Sequence, residues 1–544
     1  MDPVLPRLLR AVCTGALLLP LVSPSPVGAQ AQNPSMLAPR VGCDALPRAA
    51  DFGGIEGAPT QILSATPVAG TDQAPAYCDV KGYIAPQDQF EMRLPDAWNQ
   101  RYLQSGCGGL CGIVAPSADC NVALGRNFAT AFDNQGHVGA SPLDGTWAGN
   151  DEQLRNEFGY LAEHRLVLSS RAILQAYYGQ QPRYSYFDGC SDGGMEGLRA
   201  AQQYPADFDG IVAGAPAAIR VPLDVMYQVW LARINVDAQG GQILTPDGLR
   251  TLHDAVMSAC DEADGLIDGL LSDPRTCHFD PGQLECGATS STTPCLTAQQ
   301  VEVARKAYSG PVTDDGTRLY PGGEQYGSEL AWGGWFVQAG PAPLPSVGIG
   351  GGMLRFGVFN VGEPGPRLQD WAFTRENFDR LRPAGSIYNA TNPDLTAFRD
   401  HGGKLIMYHG WADQAISPIG TLAYYQAVQD RMGGLAATQQ FARLFMFPGM
   451  YHCQGGYGPN RFDMVGAIVD WVEQGQPPER VVASLVDEGD TVLRTRPAFP
   501  YPQMAQYTGV GSLDSADSYV AATPTASPND SVHWAGEDLF GPPG

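Results

Sequence analysis

Two short segments far apart in the chain hold the residue types needed for nucleophilic catalysis. Ser191 sits in Gly189-Cys190-Ser191-Asp192-Gly193, which fits the G-x-S-x-G pattern of a nucleophile elbow, and His452 is the candidate base. A serine hydroxyl is a weak nucleophile until a neighbouring base takes its proton, so the two side chains have to meet in space. Each has a cysteine beside it, Cys190 before the serine and Cys453 after the histidine. If Ser191 and His452 meet, these cysteines come close enough to bridge, and a disulfide then clamps nucleophile to base.

Strands must deliver these residues. Tyr184 to Phe187 reads as a short strand, Gly189 to Gly193 as a sharp turn and Met195 to Gln203 as a helix, which is the setting an elbow needs. Asp209 to Pro216 reads as the next buried parallel strand, giving an α/β pattern. Lys404 to Tyr408 is another strand, ending in His409-Gly410-Trp411-Ala412-Asp413, and an acid just past a strand end can orient the base. Arg443 to Phe447 then leads through Pro448-Gly449-Met450-Tyr451 to His452. The order Ser, Asp, His is that of an α/β-hydrolase and not of the chymotrypsin or subtilisin types. His409 competes as the base but has no cysteine partner and reads as structural. Asp413 competes with a plain loop cap.

Oxyanion donors are the remaining requirement. Arg101 to Gln104 reads as a strand running into Ser105-Gly106-Cys107-Gly108-Gly109-Leu110-Cys111-Gly112, where glycines let backbone N–H groups face a ligand. No Gly-Lys-Ser/Thr follows, so this is not a P-loop, and G-x-G-x-x-G is matched poorly. An oxyanion loop fits better, with the N–H of Asp192 as the second donor. A glycine-rich turn is the competing reading.

The chain has 544 residues, 44% of them hydrophobic, enough for more than one core. Its net charge of -24 argues against nucleic acid and anionic membranes as partners. A small anionic substrate stays open, because exposed charges beyond about 10 Å are largely screened. Arg7 and Arg10, the apolar run Ala11 to Val22 and the small residues Val27-Gly28-Ala29 read as a secretory signal over 1–29. That run is short of the roughly 20 apolar residues that span a bilayer, so a secreted, soluble protein is expected. Of the 12 cysteines, Cys13 lies in this signal, which leaves an odd number, suited to an oxidising compartment with at least one thiol free. Zinc is the rival use, but no second C-x2-C pair stands at finger spacing. The polar, Pro/Gly-rich stretch 523–544 reads as a loose tail. Asn389-Ala390-Thr391 and Asn529-Asp530-Ser531 are glycosylation sequons.

Gly-Cys-Ser-Asp-Gly-Gly over 189–194 and Pro-Gly-Met-Tyr-His-Cys over 448–453 resemble the tannase/feruloyl esterase family of secreted α/β-hydrolases, which includes mono(2-hydroxyethyl) terephthalate hydrolases. So do Asn127-Phe128-Ala129-Thr130, the run 208–216, Arg494-Thr495-Arg496-Pro497 and Pro500-Tyr501-Pro502, and the resemblance extends from about Cys43 to Tyr507. It implies an α/β-hydrolase core in two parts, 40–216 and 394–510, with a large lid, 217–393, inserted between them. It also implies Ser191 as nucleophile, His452 as base, Asp413 as orienting acid, Gly109 and Asp192 as oxyanion donors, and Cys190–Cys453 as the clamp. A bridge closing so long a loop is worth about 5 kcal/mol in the chain-entropy model.

The lid contains a helical stretch around Gly248 to Ala259 and then Asp261-Glu262-Ala263-Asp264-Gly265-Leu266-Ile267-Asp268-Gly269-Leu270. Interleaved aspartates suit a hard cation, although the spacing is not that of an EF-hand. The resemblance implies calcium held by the Asp261, Asp264 and Asp268 carboxylates and the Leu266 and Leu270 carbonyls, with no organic cofactor. Cys260–Cys277, Cys286–Cys295 and Cys43–Cys78 fit as further bridges, while Cys107, Cys111 and Cys120 leave their pairing open. Two cysteines that some relatives carry near Phe499 and Val520 are absent here, as is a match to the arginine with which terephthalate-ester specialists hold a carboxylate. The implied activity is serine ester hydrolysis, with a small ester of an aromatic acid (feruloyl, caffeoyl or galloyl) as the partner. Terephthalate monoesters are the alternative substrate, and a non-catalytic phenolic- or carbohydrate-binding protein is the alternative class. Trp332, Trp335, Phe336 and Phe356 are candidates for an aromatic wall, and the sequence does not fix the oligomeric state.

Overall fold

Short, continuously apolar runs build the centre of this protein. In the computed structural model, which describes Met1 and residues 35–287, 294–523 and 530–541, nine strands form one sheet. They are β1 (Thr60–Val68), β2 (Tyr77–Ile84), β3 (Asp88–Pro95), β4 (Arg101–Ser105), β5 (Ala129–Asp133), β6 (Tyr184–Cys190), β7 (Gly210–Gly214), β8 (Lys404–Gly410) and β9 (Ala442–Phe447). Their spatial order is β1-β2-β3-β5-β4-β6-β7-β8-β9. From β5 to β9 every pairing is parallel. Every residue of β4, β5, β7 and β9 is buried, as expected where helices cover both faces. The outer strands β1, β2 and β3 pair antiparallel, and β2 alternates between more and less buried positions, the mark of a half-covered sheet.

The expected strands at 101, 184, 209, 404 and 443 are all present, each within a few residues of its predicted bounds. Helix Asp192–Gln203 follows β6 directly and packs on β6 and β7. It approaches the sheet so closely that a Cβ on Gly194 would lie 2.2 Å from the Gly214 carbonyl oxygen, which is why a glycine stands there.

β7 and β8 are neighbours, yet the long segment read as a lid runs between them. It contains helices Pro246–Cys260, Ala298–Ser309 and Pro345–Gly352. The described residues from Ser35 onward form one compact unit that includes this segment.

The chain's end differs from expectation. Within 530–541, Trp534 is 5% exposed and stacks edge-on against Tyr320 and Phe378, while Asp530 pairs with Arg275 at 2.7 Å and Asp538 with Arg382. One large aromatic side chain anchors a stretch whose overall composition reads as loose. The signal over 1–29 lies outside the described residues, apart from Met1, as does Asn529 of the second sequon. Among the described residues no helix is long and apolar enough to cross a membrane.

Candidate active site

β6 ends at Cys190, and the chain turns at Ser191 with φ 68° and ψ -117° before entering its helix. A positive φ is costly for a residue with a Cβ and is held by its surroundings. Here the Ser191 N–H donates to the Gly214 carbonyl at 2.9 Å, and its own carbonyl accepts from Met195 and Ala217. The turn lifts the side chain clear of the sheet.

The three loops converge on one proton path. Ser191 Oγ lies 2.9 Å from His452 Nε2, and His452 Nδ1 lies 2.8 Å from Asp413 Oδ2. Asp413 is fully buried, and its Oδ1 accepts from the N–H groups of Ala415 and Ile416 at 2.7 and 2.9 Å. Burial by itself would raise this carboxyl. The charge of His452 and hydrogen bonds from His409 and His452 outweigh it and hold the group well below the usual carboxylate range. His409, the rival base, is wholly buried. Its Nε2 sits 3.1 Å from Asp413 Oδ2 and 3.0 Å from the Ile416 carbonyl, two acceptors, so that nitrogen carries the proton. His409 therefore orients Asp413 from behind.

Gly109 stands beside the elbow at the turn after β4, with φ 67°. A Cβ there would meet the Pro142 carbonyl oxygen at 2.4 Å. Among the described residues, no hydrogen bond occupies the N–H of Gly109 or of Asp192, which leaves both for a ligand.

One residue of this assembly escaped the sequence reading. Arg220, 2% exposed, donates to the Gly109 carbonyl at 2.7 Å, pairs with Asp224 at 2.6 Å and pairs closely with Asp192. A single guanidinium thus ties the loop bearing one candidate oxyanion donor to the residue bearing the other. Burial pushes the Asp192 and Asp224 carboxyls up to about 6, even with Arg220 beside them. The only sequence signal was a lone cation in the apolar run Ala217 to Leu223.

A model of the tannase and feruloyl esterase family matches residues 71–522. The chain belongs to that family. It is 33% identical to mono(2-hydroxyethyl) terephthalate hydrolase from Piscinibacter sakaiensis, over 83% of this chain and 85% of that protein. It is 32% identical to a probable feruloyl esterase from Arthroderma benhamiae, over 79% and 81% of the two chains. The crystal structure of feruloyl esterase B from Aspergillus oryzae superposes with a TM-score of 0.76 at 28% identity, covering 88% of this chain and 99% of that one. Like other members of the tannase and feruloyl esterase family, the protein is a carboxylic ester hydrolase with an α/β-hydrolase fold.

Among the described residues five disulfides are formed, including Cys190–Cys453 across the elbow and the histidine loop, Cys43–Cys78, Cys260–Cys277 and Cys286–Cys295. The pairing left open among Cys107, Cys111 and Cys120 is Cys107–Cys111. Cys120 stays free and buried, and burial pushes its thiol up to about 12. Cys107 and Cys111 lie with Asp192 and Glu196 in the sole cluster of three or more metal-ligating groups among the described residues. With both sulfurs bonded to each other and Asp192 paired to Arg220, that cluster is no cation site.

Of the four aromatic residues proposed for a wall, one reaches the site. Trp335 lies 5.8 Å from the His452 ring and donates its Nε1–H to Gln228 Oε1 at 3.0 Å. Trp332 and Phe336 are buried in the main hydrophobic core, and Phe356 packs on Gly149. Trp335, Gln228, Leu223, Ile349 and Ile416 close over Ser191, leaving a cavity of ≈ 20 Å³.

Residues 261–270 begin with a single helical turn, Asp261–Asp264, and continue through Gly265 and Gly269, both at positive φ. Asp264 is raised by burial and by the neighbouring charges of Asp268 and Asp261, so like charges crowd this loop. Among the described residues, the Leu266 and Leu270 carbonyls take no hydrogen bond from protein. Crowded carboxylates beside free carbonyls suit a hard cation. Asp268, however, also pairs with Arg496 at 2.6 Å, and the three carboxylates do not converge as tightly as the cysteine-carboxylate cluster does.

Proposed function

We propose that this protein is a secreted serine esterase that cleaves esters of aromatic acids, of feruloyl, caffeoyl or galloyl type, through an acyl-enzyme. The observation that carries the reading is the unbroken chain Ser191 Oγ, His452, Asp413 at 2.9 and 2.8 Å. His452 Nε2 accepts the Ser191 proton as Oγ attacks the ester carbonyl. Asp413, kept ionised, holds the ring and stabilises the imidazolium. The tetrahedral oxyanion is met by the N–H groups of Gly109 and Asp192, already fixed through Arg220 and so needing no reorganisation. His452 then protonates the departing alcohol, and water activated by the same histidine releases the acid from Ser191.

An aromatic acyl group is favoured by the apolar lid wall and by the feruloyl esterases among the relatives. At ≈ 20 Å³ the cavity over Ser191 has room for about one water, so the acyl ring enters by displacing Trp335. Calcium in the loop 261–270, held by Asp261, Asp264, Asp268 and the carbonyls of Leu266 and Leu270, is part of the proposal. There it neutralises crowded carboxylates and stiffens the lid; it takes no step in the reaction. The bridges and the basic, apolar start of the chain support secretion.

Terephthalate monoesters are a second reading, favoured by the relative from Piscinibacter sakaiensis. They carry a free carboxylate beside the ester, and the one cation among the described residues lining the pocket, Arg220, is already committed to Asp192, Asp224 and Gly109. An uncharged aryl group therefore fits better. Hydrolysis of methyl ferulate, methyl gallate and mono(2-hydroxyethyl) terephthalate, beside Ser191→Ala, tests both. Turnover of a ferulate or gallate ester that is lost in the variant is expected. Terephthalate turnover well above the other two would overturn the substrate assignment, and equal turnover in Ser191→Ala would overturn the mechanism.

A further inference from the structure

One stripe of polar side chains crosses the otherwise apolar wall of the pocket over Ser191. Arg220, Asp224 and Gln228 stand four residues apart along the helical stretch 220–228, share a face of it and all line the pocket. Around them the wall is Ala217, Leu223, Trp335, Ile349 and Ile416.

Counting hydrogen bonds along the stripe leaves one atom over. Arg220 is committed to Asp192, Asp224 and the Gly109 carbonyl. Gln228 donates Nε2–H to the Ala415 carbonyl at 2.6 Å and accepts the Trp335 indole N–H at Oε1. Asp224 is half used: Oδ2 accepts from Arg220 Nε at 2.6 Å, while no group among the described residues donates to Oδ1. Nor is Oδ1 walled in. Asp224 is only 2% exposed, yet it keeps accessible surface at this oxygen, in the pocket wall. A carboxylate oxygen that faces a pocket without a donor is matched by a ligand that brings one, and a carboxylate accepts more strongly than a neutral oxygen does.

We propose that Asp224 is a specificity-determining residue: its Oδ1 accepts a hydrogen bond from a phenolic hydroxyl on the acyl ring, so the enzyme selects esters of hydroxylated aromatic acids over unsubstituted or fully methoxylated ones. The inference rests on the reading that an aromatic acyl group enters this pocket, and adds what that ring must carry. A methoxyl has no proton to give, and a ring carboxylate would meet Asp224 as a like charge. By holding Oδ2, Arg220 fixes the direction of Oδ1 before substrate arrives. Gln228 Oε1 is freed when Trp335 moves, but as a neutral acceptor it is the weaker partner.

Two sets of methyl esters test this: caffeate, 3,4-dimethoxycinnamate and cinnamate, and gallate, 3,4,5-trimethoxybenzoate and benzoate. Methyl esters have no hydroxyl on the alcohol side, and the unsubstituted rings, being the smallest, separate hydrogen bonding from size. Full-length mature protein is assayed at pH 8, above the value of about 6 to which burial pushes Asp224. The hydroxylated ester of the better set should exceed both its partners in kcat/KM by about ten- to hundredfold, the range of one hydrogen bond to a charged group. In Asp224→Asn the amide oxygen turns to Arg220 and offers N–H to the pocket, so this advantage should fall to about threefold or less, whatever the loss in overall rate. A role confined to holding Arg220 would slow all three esters alike and leave the ratio intact, a result that overturns the proposal. So does a wild type that takes cinnamate or benzoate as readily as the hydroxylated ester, and that outcome decides the matter even if the variant does not fold. Turnover of no ester in either set overturns the esterase reading itself, and the inference with it.

Discussion

Replacing both Cys190 and Cys453 by alanine separates two consequences of one bond. The bridge spans 263 residues of sequence, whereas the other four span 35, 4, 17 and 9. In the chain-entropy model a 263-residue loop gives about 5.6 kcal/mol at 25 °C, an upper value because the unfolded chain keeps its other bridges. Spread over the unfolding entropy of about 500 ordered residues, this lowers Tm by only about 5 °C. Catalysis is the more sensitive readout. His452 keeps its partners Asp413 and Gln414, but the loop loses its covalent tie to the residue preceding Ser191. A drift of about 1 Å between Nε2 and Oγ costs on the order of a hundredfold in rate. The double variant should therefore lose about two orders of magnitude in kcat on methyl ferulate, or on whichever ester proves the better substrate, with KM little changed. Far-ultraviolet circular dichroism and thermal melts establish the fold, and mass spectrometry the state of the remaining bridges. An unchanged kcat in a folded variant would refute the geometric argument: the hydrogen bonds to Asp413 and Gln414 would then suffice to hold the base. A Tm drop far above 5 °C would mean that the bridge organises the native state as well as restricting the unfolded one.

Asp413→Asn should lower kcat by about 10⁴-fold, because the amide cannot hold the imidazolium or fix its tautomer; a loss near tenfold would make Asp413 a loop cap. Arg220→Met leaves Asp192 and Asp224 buried without their cation, a cost of about 3–5 kcal/mol, and loosens both oxyanion donors, so kcat should fall by about 10²-fold or more in whatever fraction folds. Glu163 is buried with an unpartnered oxygen, and burial followed by the charge of Asp133 pushes it up to about 8. A raised carboxyl binds its proton more tightly in the folded state, so stability falls as pH climbs from the unfolded value near 4.5 towards 8. Glu163→Gln should flatten that decline and raise Tm at pH 8 more than at pH 5, as thermal melts across this range would reveal. Chelation of calcium should lower Tm and calcium alone, not magnesium, restore it; a Tm indifferent to chelator would remove calcium from the loop 261–270.

Much of this site is legible in the sequence, for a physical reason. The elbow, the acid and the base each sit at the end of a buried strand, so a few contiguous residues carry both the chemistry and the geometry that presents it. Flanking cysteines added long-range information, because two of them can be neighbours only if Ser191 and His452 are. Arg220 was silent because its meaning is tertiary: nothing local says that it touches Gly109, more than a hundred positions earlier. The aromatic wall failed similarly, since Trp332 and Trp335 are alike in sequence while one is buried in the core and the other faces the pocket. Trp534 shows the converse, a single packed ring overriding the polar composition around it.

Cys120 has a bearing on how the molecule is made. Among the described residues it is the cysteine left outside five bridges, and such a thiol is a hazard to them, since any thiolate can attack a formed disulfide and scramble the set. With its thiol at about 12, only about one molecule in 10⁵ is ionised at pH 7, and burial shields it from partners as well. Folding thus retires this free cysteine: once the helix Ala118–Gly125 buries it against the sheet, its thiol is out of reach of the bridges.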